Sequence, residues 1–205
     1  PETTTVTGQV LINNQLDSAF GSGWGLRGIQ RLYFQPEGDV VLTEGDGSTL
    51  FFESVFYKND FEESAGSEWS NRSIDTTPRG GRKFLGQFGN SNVSFTLTGL
   101  PAHEKINVIF DLFVIQSWDG NGDRWAGVDV WDFNVTDGPV LLHTTFSNTG
   151  ADGNKQAYPQ FYPGGSNPER TGASEANTLG YTYWGDSVYQ LNYTFEHTAE
   201  EVILN

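Results

Sequence analysis

No segment of this chain sustains the i, i+3, i+4, i+7 apolar spacing of an amphipathic helix between recognisable caps. Short alternating apolar and polar runs recur instead, separated by Gly, Asn, Asp and Pro. A period of two puts successive side chains on opposite faces of a ribbon, and turn residues at its ends fold the ribbon back on its neighbour. The pattern predicts an all-β chain: an N-terminal β-hairpin meander followed by a jelly-roll-like antiparallel β-sandwich. A length of 205 residues suffices for one large sandwich with a small β appendage.

Two units are expected. Residues 1–56 read as the meander, with strands in Val6–Ile12, Ile29–Phe34, Val40–Thr43 and Thr49–Phe52, turned at Pro36-Glu37-Gly38-Asp39 and Glu44-Gly45-Asp46-Gly47. Residues 57–205 read as the sandwich, with strands in Lys83–Phe88, Val93–Thr98, Ile106–Ile115, Asp129–Val135, Val140–Phe146, Ser187–Phe195 and Glu201–Leu204. A polar stretch from Ser147 to Tyr183 interrupts them. Loops of that length in compact domains carry function or are ordered by an ion.

Charge narrows the partners. With 26 acidic and 11 basic residues the net charge is −15. Such a surface repels phosphate backbones and anionic lipid, so no nucleic-acid partner is expected. Aromatic residues make up 14% of the chain, too many for an acidic disordered polymer. No apolar run reaches the roughly 18 residues of a spanning helix, so membrane insertion is not expected. The chain has no Cys, which removes disulfides and thiolate metal sites. Pro1-Glu2-Thr3 lacks the basic and apolar parts of a leader, so an exported chain is expected in processed form or as an excised piece.

The strongest local signal is Asp119-Gly120-Asn121-Gly122-Asp123, extended by Asp129 and Asp132. Calcium takes six to eight hard oxygen ligands, and alternating Asp and Asn on a glycine-bent loop can turn such oxygens inward. Asp119, Asn121, Asp123 and Asp129 are the candidate calcium ligands. The distal Glu of an EF-hand is missing, and an ordinary solvated turn is the competing account, because Asn-Gly and Asp-Gly are common turn dipeptides. Asp60 and Glu62 are weaker candidates for a second site, where plain surface charge is the simpler reading.

Catalytic signatures are absent. There is no G-x-S-x-G and no H-E-x-x-H, and His103, His143 and His197 are scattered with no local pairing. Gly23-Trp24-Gly25-Leu26-Arg27-Gly28 fits G-x-G-x-x-G, but a strand pattern follows it where a dinucleotide site needs a helix. Pairs of carboxylates for glycoside hydrolysis are unspecific in so acidic a chain. The chain is therefore expected not to be an enzyme. The aromatics are better candidates for binding. Trp118, Trp125, Tyr158, Phe161, Tyr162, Tyr183 and Trp184 lie in or beside the long polar loops. Sugars stack their C–H faces on such rings, and calcium coordinates sugar hydroxyls. A carbohydrate is thus the candidate ligand, with Trp118, Trp125, Tyr158, Tyr162 and Trp184 as its contacts. The same rings suit an equally good alternative, capping the core with one polar edge wet. Asn71, Asn92, Asn134 and Asn192 head N-x-S/T sequons, candidate glycan acceptors in an exported chain. Chance accounts equally for them in a sequence rich in Asn, Ser and Thr.

Two stretches have a familiar form. Asp17-Ser18-Ala19-Phe20-Gly21-Ser22-Gly23-Trp24-Gly25-Leu26, with the turn Glu44-Gly45-Asp46-Gly47-Ser48, resembles the β-segment that introduces RHS/YD-type repeats in large bacterial surface proteins. Phe84–Asn90, Leu100–His103, Ser117–Asn121 and Gln156–Pro159 resemble parts of a jelly-roll module of very large secreted bacterial proteins, planctomycete ones especially. The resemblance implies an extracellular or cell-surface β module without an established enzymatic activity. The expected function is a calcium-stabilised binding or adhesion module directed at carbohydrate. The alternative is a structural subunit of an extracellular filament or surface layer. The resemblance also implies one further strand beyond Leu204-Asn205. A sandwich lacking it would expose an open edge. Thr3–Ile12 is then a candidate donor strand for the next copy, a head-to-tail contact that builds open filaments. A terminal strand simply removed is the competing account.

Overall fold

The computed structural model describes the strand backbones at 10–12, 31–34, 40–43 and 48–52, and residues 55–122, 127–148 and 154–205. The described residues contain no helix; all regular structure is β, and every strand pairing is antiparallel. The chain divides into two compact units. One comprises Pro1–Lys58 with Leu100–Glu104 and His197–Glu200. The other comprises Asn59–Gly99, Lys105–Glu196 and Glu201–Asn205.

In the first unit, β1 (Val10–Ile12), β2 (Arg31–Phe34), β3 (Val40–Thr43) and β4 (Ser48–Phe52) form one sheet in the order β1-β4-β3-β2. The hairpins β2–β3 and β3–β4 form the meander that the turn sequences predict, and β1 closes on β4 with Val10 opposite Leu50.

The second unit contains β5 (Ile74–Thr76), β6 (Lys83–Leu85), β7 (Phe95–Thr98), β8 (Lys105–Ile115), β9 (Val130–Asn134), β10 (Val140–Thr145), β11 (Lys155–Gln156), β12 (Asn167–Pro168), β13 (Glu175–Ala176), β14 (Asp186–Glu196) and β15 (Glu201–Leu204). The longest ladder runs from Lys105 opposite Glu196 to Ile115 opposite Asp186, and β13 pairs with the other edge of β14. A second group of strands joins β10–β9 to β15–β7. Asn134 and Asn205 exchange backbone hydrogen bonds of 2.9 Å in both directions, and Thr136 N donates to Ile203 O at 2.9 Å.

The alternation in β8 and β14 explains how the two groups meet. Residues at one parity of β14, namely Tyr189, Leu191 and Phe195, are buried, while Gln190, Asn192 and Thr194 are exposed. Their inward partners across the ladder include Phe110 and Leu112. Phe110 meets Phe133 of β9 edge to face at 5.2 Å, and Tyr193 of β14 meets the same Phe133 at 5.6 Å. Aromatic pairs at these separations add to the area they bury. The arrangement is sandwich-like, with the ring contacts lying between the strand groups. The pattern changes at the far end of the ladder, where Asp186 to Tyr189 are all buried. Phe113 is flanked there by Phe84 of β6 at 5.5 Å and by the Arg82 guanidinium at 4.5 Å from its ring centre. The β5–β6 hairpin thus covers a face that would otherwise be wet.

Candidate functional site

The glycine-bent loop after β8 is shaped by backbone contacts that side chains would obstruct. Gly120 has φ +77°, and a Cβ there would collide with the carbonyl oxygen of Lys155. The close approach lets Asn121 N donate to Lys155 O at 2.7 Å and Asp129 N to Gly120 O at 3.2 Å. Asp119 N donates to Asp129 Oδ2 at 2.9 Å. The two carboxylates are consequently neighbours. Asp119 Oδ1 is buried and has no hydrogen-bond partner among the described residues. The Asp119 carboxyl is pushed above its ordinary 3.8, first by burial, then by the charge of Asp129, then by the hydrogen bond a protonated Asp119 shares with Asp129.

Of the four candidate ligands, the loop brings together Asp119 and Asp129. Asn121 is committed elsewhere. Its Oδ1 accepts from the Thr145 hydroxyl at 2.5 Å and its Nδ2 donates to Gly165 O at 3.2 Å. Asp123 lies outside the described residues. Among the described residues no cluster of three or more acidic or imidazole groups is gathered for a metal. The chemistry of the two carboxylates still fits a hard cation: two charges face each other, and a buried oxygen lacks a donor. Asp132 is engaged differently, its Oδ1 lying 2.5 Å from His143 Nδ1 across the β9–β10 pair. At the candidate second site, Asp60 Oδ1 accepts from Glu62 N at 3.1 Å, a local turn bond.

The long polar stretch is pinned onto this loop. Gln156 is fully buried and makes five hydrogen bonds: Oε1 accepts from Ser147 N, Arg170 N and the Tyr189 hydroxyl, and Nε2 donates to Tyr158 O and Thr171 O. Sequence reasoning missed this residue. A lone Gln in a polar run carries no periodic signal.

The aromatic candidates separate by exposure. Tyr158 packs against Phe146 at 5.0 Å and Tyr189 at 5.1 Å, and Trp118 meets Phe146 edge to face at 6.4 Å, so these two rings belong to the core cluster. Tyr162 lies 6.3 Å from the His143 ring. Trp125 lies outside the described residues. Trp184 is 44% exposed and Tyr183 83% exposed, their rings edge to face at 4.8 Å on the turn before β14. Phe161 is exposed as well.

Asn71, Asn92 and Asn192 are exposed and Asn134 is half-buried. Asn71 Oδ1 caps Ser73 N at 3.0 Å, and Asn192 Oδ1 accepts from Asn107 Nδ2 at 2.6 Å. Tertiary structure pairs two of the histidines. His103 Nδ1 donates to Pro101 O at 2.6 Å, and its Nε2 lies 2.7 Å from His197 Nδ1 with the rings nearly parallel. Two residues without local pairing in the sequence are partners in the fold, brought together across 94 positions. Of the candidate donor segment, Val10–Ile12 pairs with Ser48–Leu50 of its own chain, and residues 3–9 lie outside the described residues. Near the other end, β15 is hydrogen-bonded along both edges, to β7 and to the end of β9. Comparison with protein-family models, with curated proteins and with solved structures yields no match for this chain.

Proposed function

We propose that this chain is an extracellular, calcium-stabilised binding module of a large surface protein, directed at carbohydrate and without catalytic activity. The observation that carries the reading is the Asp119–Asp129 carboxylate pair with its unpartnered, buried Asp119 Oδ1. A divalent cation would neutralise that pair and supply the missing contact, with further oxygens from Asp123, backbone carbonyls or water. Calcium is favoured over magnesium because Ca²⁺ accepts a mixed set of carboxylate, carbonyl and water oxygens in flexible geometry, whereas Mg²⁺ demands a near-ideal octahedron. The exposed Tyr183–Trp184 pair supports the carbohydrate part, and the resemblance to secreted bacterial modules supports the location. The sequons are then candidate glycan acceptors on a protein already outside the cell.

Calcium that binds only the native state adds RT ln(1 + [Ca]/Kd). Extracellular modules bind it with Kd of about 10⁻⁴ to 10⁻³ M, so 10 mM calcium contributes about 1.4 to 2.7 kcal/mol. For a chain of this size that is a rise of roughly 3 to 10 °C in Tm. Differential scanning calorimetry with calcium and with chelator reads it directly. Identical curves in both buffers, with Asp129→Asn behaving like wild type, would refute the proposal.

A further inference from the structure

Asp186 is a buried carboxylate that the backbone already satisfies. It is 1% exposed, and its oxygens accept the amides of Leu179 at 3.0 Å and of Gly180 and Tyr181 at 3.1 Å each. Three N–H donors give its oxygens their hydrogen bonds without a side-chain cation. Arg79 lines the same cleft, about 380 Å³ in volume, together with Asn177, Gly180, Tyr181, Thr182 and Asp186. The root of Arg79 is fixed. Its N donates to Leu179 O at 2.8 Å, its Nη1 reaches Asn177 O at 3.4 Å, and a Cβ at Gly180 would come within 2.8 Å of its backbone N. Among the described residues Arg79 nonetheless takes part in no ion pair. In a chain with more than twice as many acids as bases, an exposed arginine lining a cleft beside a saturated carboxylate stands out.

Tyr181 adds a second donor. Gln87 Nε2 lies 3.3 Å from its hydroxyl and 2.9 Å from Asp75 Oδ2. The hydroxyl accepts from Gln87, which leaves its own proton to donate. Burial foremost, then the charges of Asp75 and Asp186, push the Tyr181 hydroxyl above its ordinary 10.0, so it remains a donor at neutral pH. A guanidinium, which has no acceptor, and a hydroxyl that already accepts from Gln87 match a group that only accepts: a carboxylate or a sulfate. The nearby charges of Asp75 and Asp186 disfavour a dianion. Past Thr182 the same turn continues into Tyr183 and Trp184, the exposed edge-to-face pair.

We propose that this cleft is an anionic saccharide subsite, in which Arg79 and the Tyr181 hydroxyl hold the carboxylate or sulfate of an acidic sugar while a neighbouring sugar ring stacks on Trp184. The inference rests on the carbohydrate reading above and adds the ligand's class and the residues that select it. Titration calorimetry of the full chain at fixed calcium tests it with three probes: an oligogalacturonate, the same oligosaccharide fully methyl-esterified, and a sulfated galacto-oligosaccharide. Wild type should prefer an acidic probe over the ester by about ten- to a hundredfold, the range of a charge-assisted hydrogen-bond pair. Which acidic probe binds assigns carboxylate or sulfate. Arg79→Gln should abolish the preference and retain ester binding. Tyr181→Phe should reduce the preference by about fivefold, and it carries the test if Arg79→Gln fails to fold. Trp184→Ala should weaken acid and ester alike. Equal binding of acid and ester by wild type, or an undiminished preference in Arg79→Gln, overturns the anionic subsite and leaves carbohydrate binding standing. Binding of none of the three probes overturns both.

Discussion

Replacing Gln156 by Leu tests whether the long polar stretch is pinned from inside. The two side chains are close in size, so the substitution removes hydrogen bonds and leaves little cavity. Five bonds of 2.9 to 3.3 Å are lost. Two partners keep another contact: Arg170 N retains Ser147 O at 3.1 Å, and Tyr158 O retains Asn167 Nδ2 at 2.9 Å. The Tyr189 hydroxyl also keeps a hydrogen bond with Ser187. The Ser147 amide and the Thr171 carbonyl lose the bond that Gln156 gave them. At about 1 to 2 kcal/mol for each of these two buried bonds, the cost is about 2 to 4 kcal/mol. That is a large share of the roughly 5 to 15 kcal/mol of a typical domain. With a urea m-value of about 2 kcal/mol/M, the midpoint should fall by roughly 1 to 2 M. The assay is a urea titration followed by near-UV circular dichroism, which reports the buried rings around Phe146. Gln160→Leu serves as control: Gln160 is exposed, and its loss should cost under about 1 kcal/mol. A Gln156→Leu cost as small as the control's would refute the pinning.

Three further outcomes are expected. Gly120→Ala forces a Cβ into the Lys155 carbonyl at a positive φ, so it should cost about 2 to 4 kcal/mol by thermal melting. Tyr158→Ala should destabilise the chain by about 2 to 4 kcal/mol, whereas Trp184→Ala should stay within about 0.5 kcal/mol of wild type; equal losses in calorimetry would place Trp184 in the core. The raised Asp119 carboxyl sets a pH dependence. In chelator, its contribution is fully present below 3.8 and is lost as pH rises through the raised folded value, because the unfolded state releases that proton first. Asp129→Asn should flatten that fall, and a pH series of melts in which both proteins lose stability equally contradicts the coupling.

What the sequence revealed depended on whether a signal was periodic. The ladder of Lys105–Ile115 with Asp186–Glu196 was legible to within a residue at each end, because alternation sustained over that length rarely arises outside a strand. The short strands Ile74–Thr76, Lys155–Gln156, Asn167–Pro168 and Glu175–Ala176 were not, since side-chain bonds and turns set them and no period of two develops in two or three residues. Sequence chemistry named Asp119 and Asp129 as candidates, and the fold makes them neighbours, but it could not see Asn121 turn to Thr145, a partner 24 positions on. Composition placed aromatics in the loops but could not tell Tyr158, packed on Phe146, from Trp184, open to solvent.

The carboxylate pair and the polar stretch are one mechanical unit. Asp119 forms a β-bridge with Ser147, and the Ser147 amide donates to Gln156 Oε1. Asn121 ties the same loop to Lys155 O, Gly165 O and the Thr145 hydroxyl. These bonds hold Asp119 against Asp129, a contact that burial and like charge oppose. An ordinary turn would not need the opposition: an Asn at 129 would accept from Asp119 N as well, and its amide could donate to the stranded Asp119 oxygen. Two carboxylates at that place become favourable when a cation sits with them. By linkage, whatever stabilises the contact also stabilises the bonds that enforce it, and the reverse holds to the same degree. Under the calcium proposal, the ion would therefore act on the 154–171 segment as well as on its own ligands, and a rigid 154–171 segment would in turn hold the two carboxylates ready for the ion.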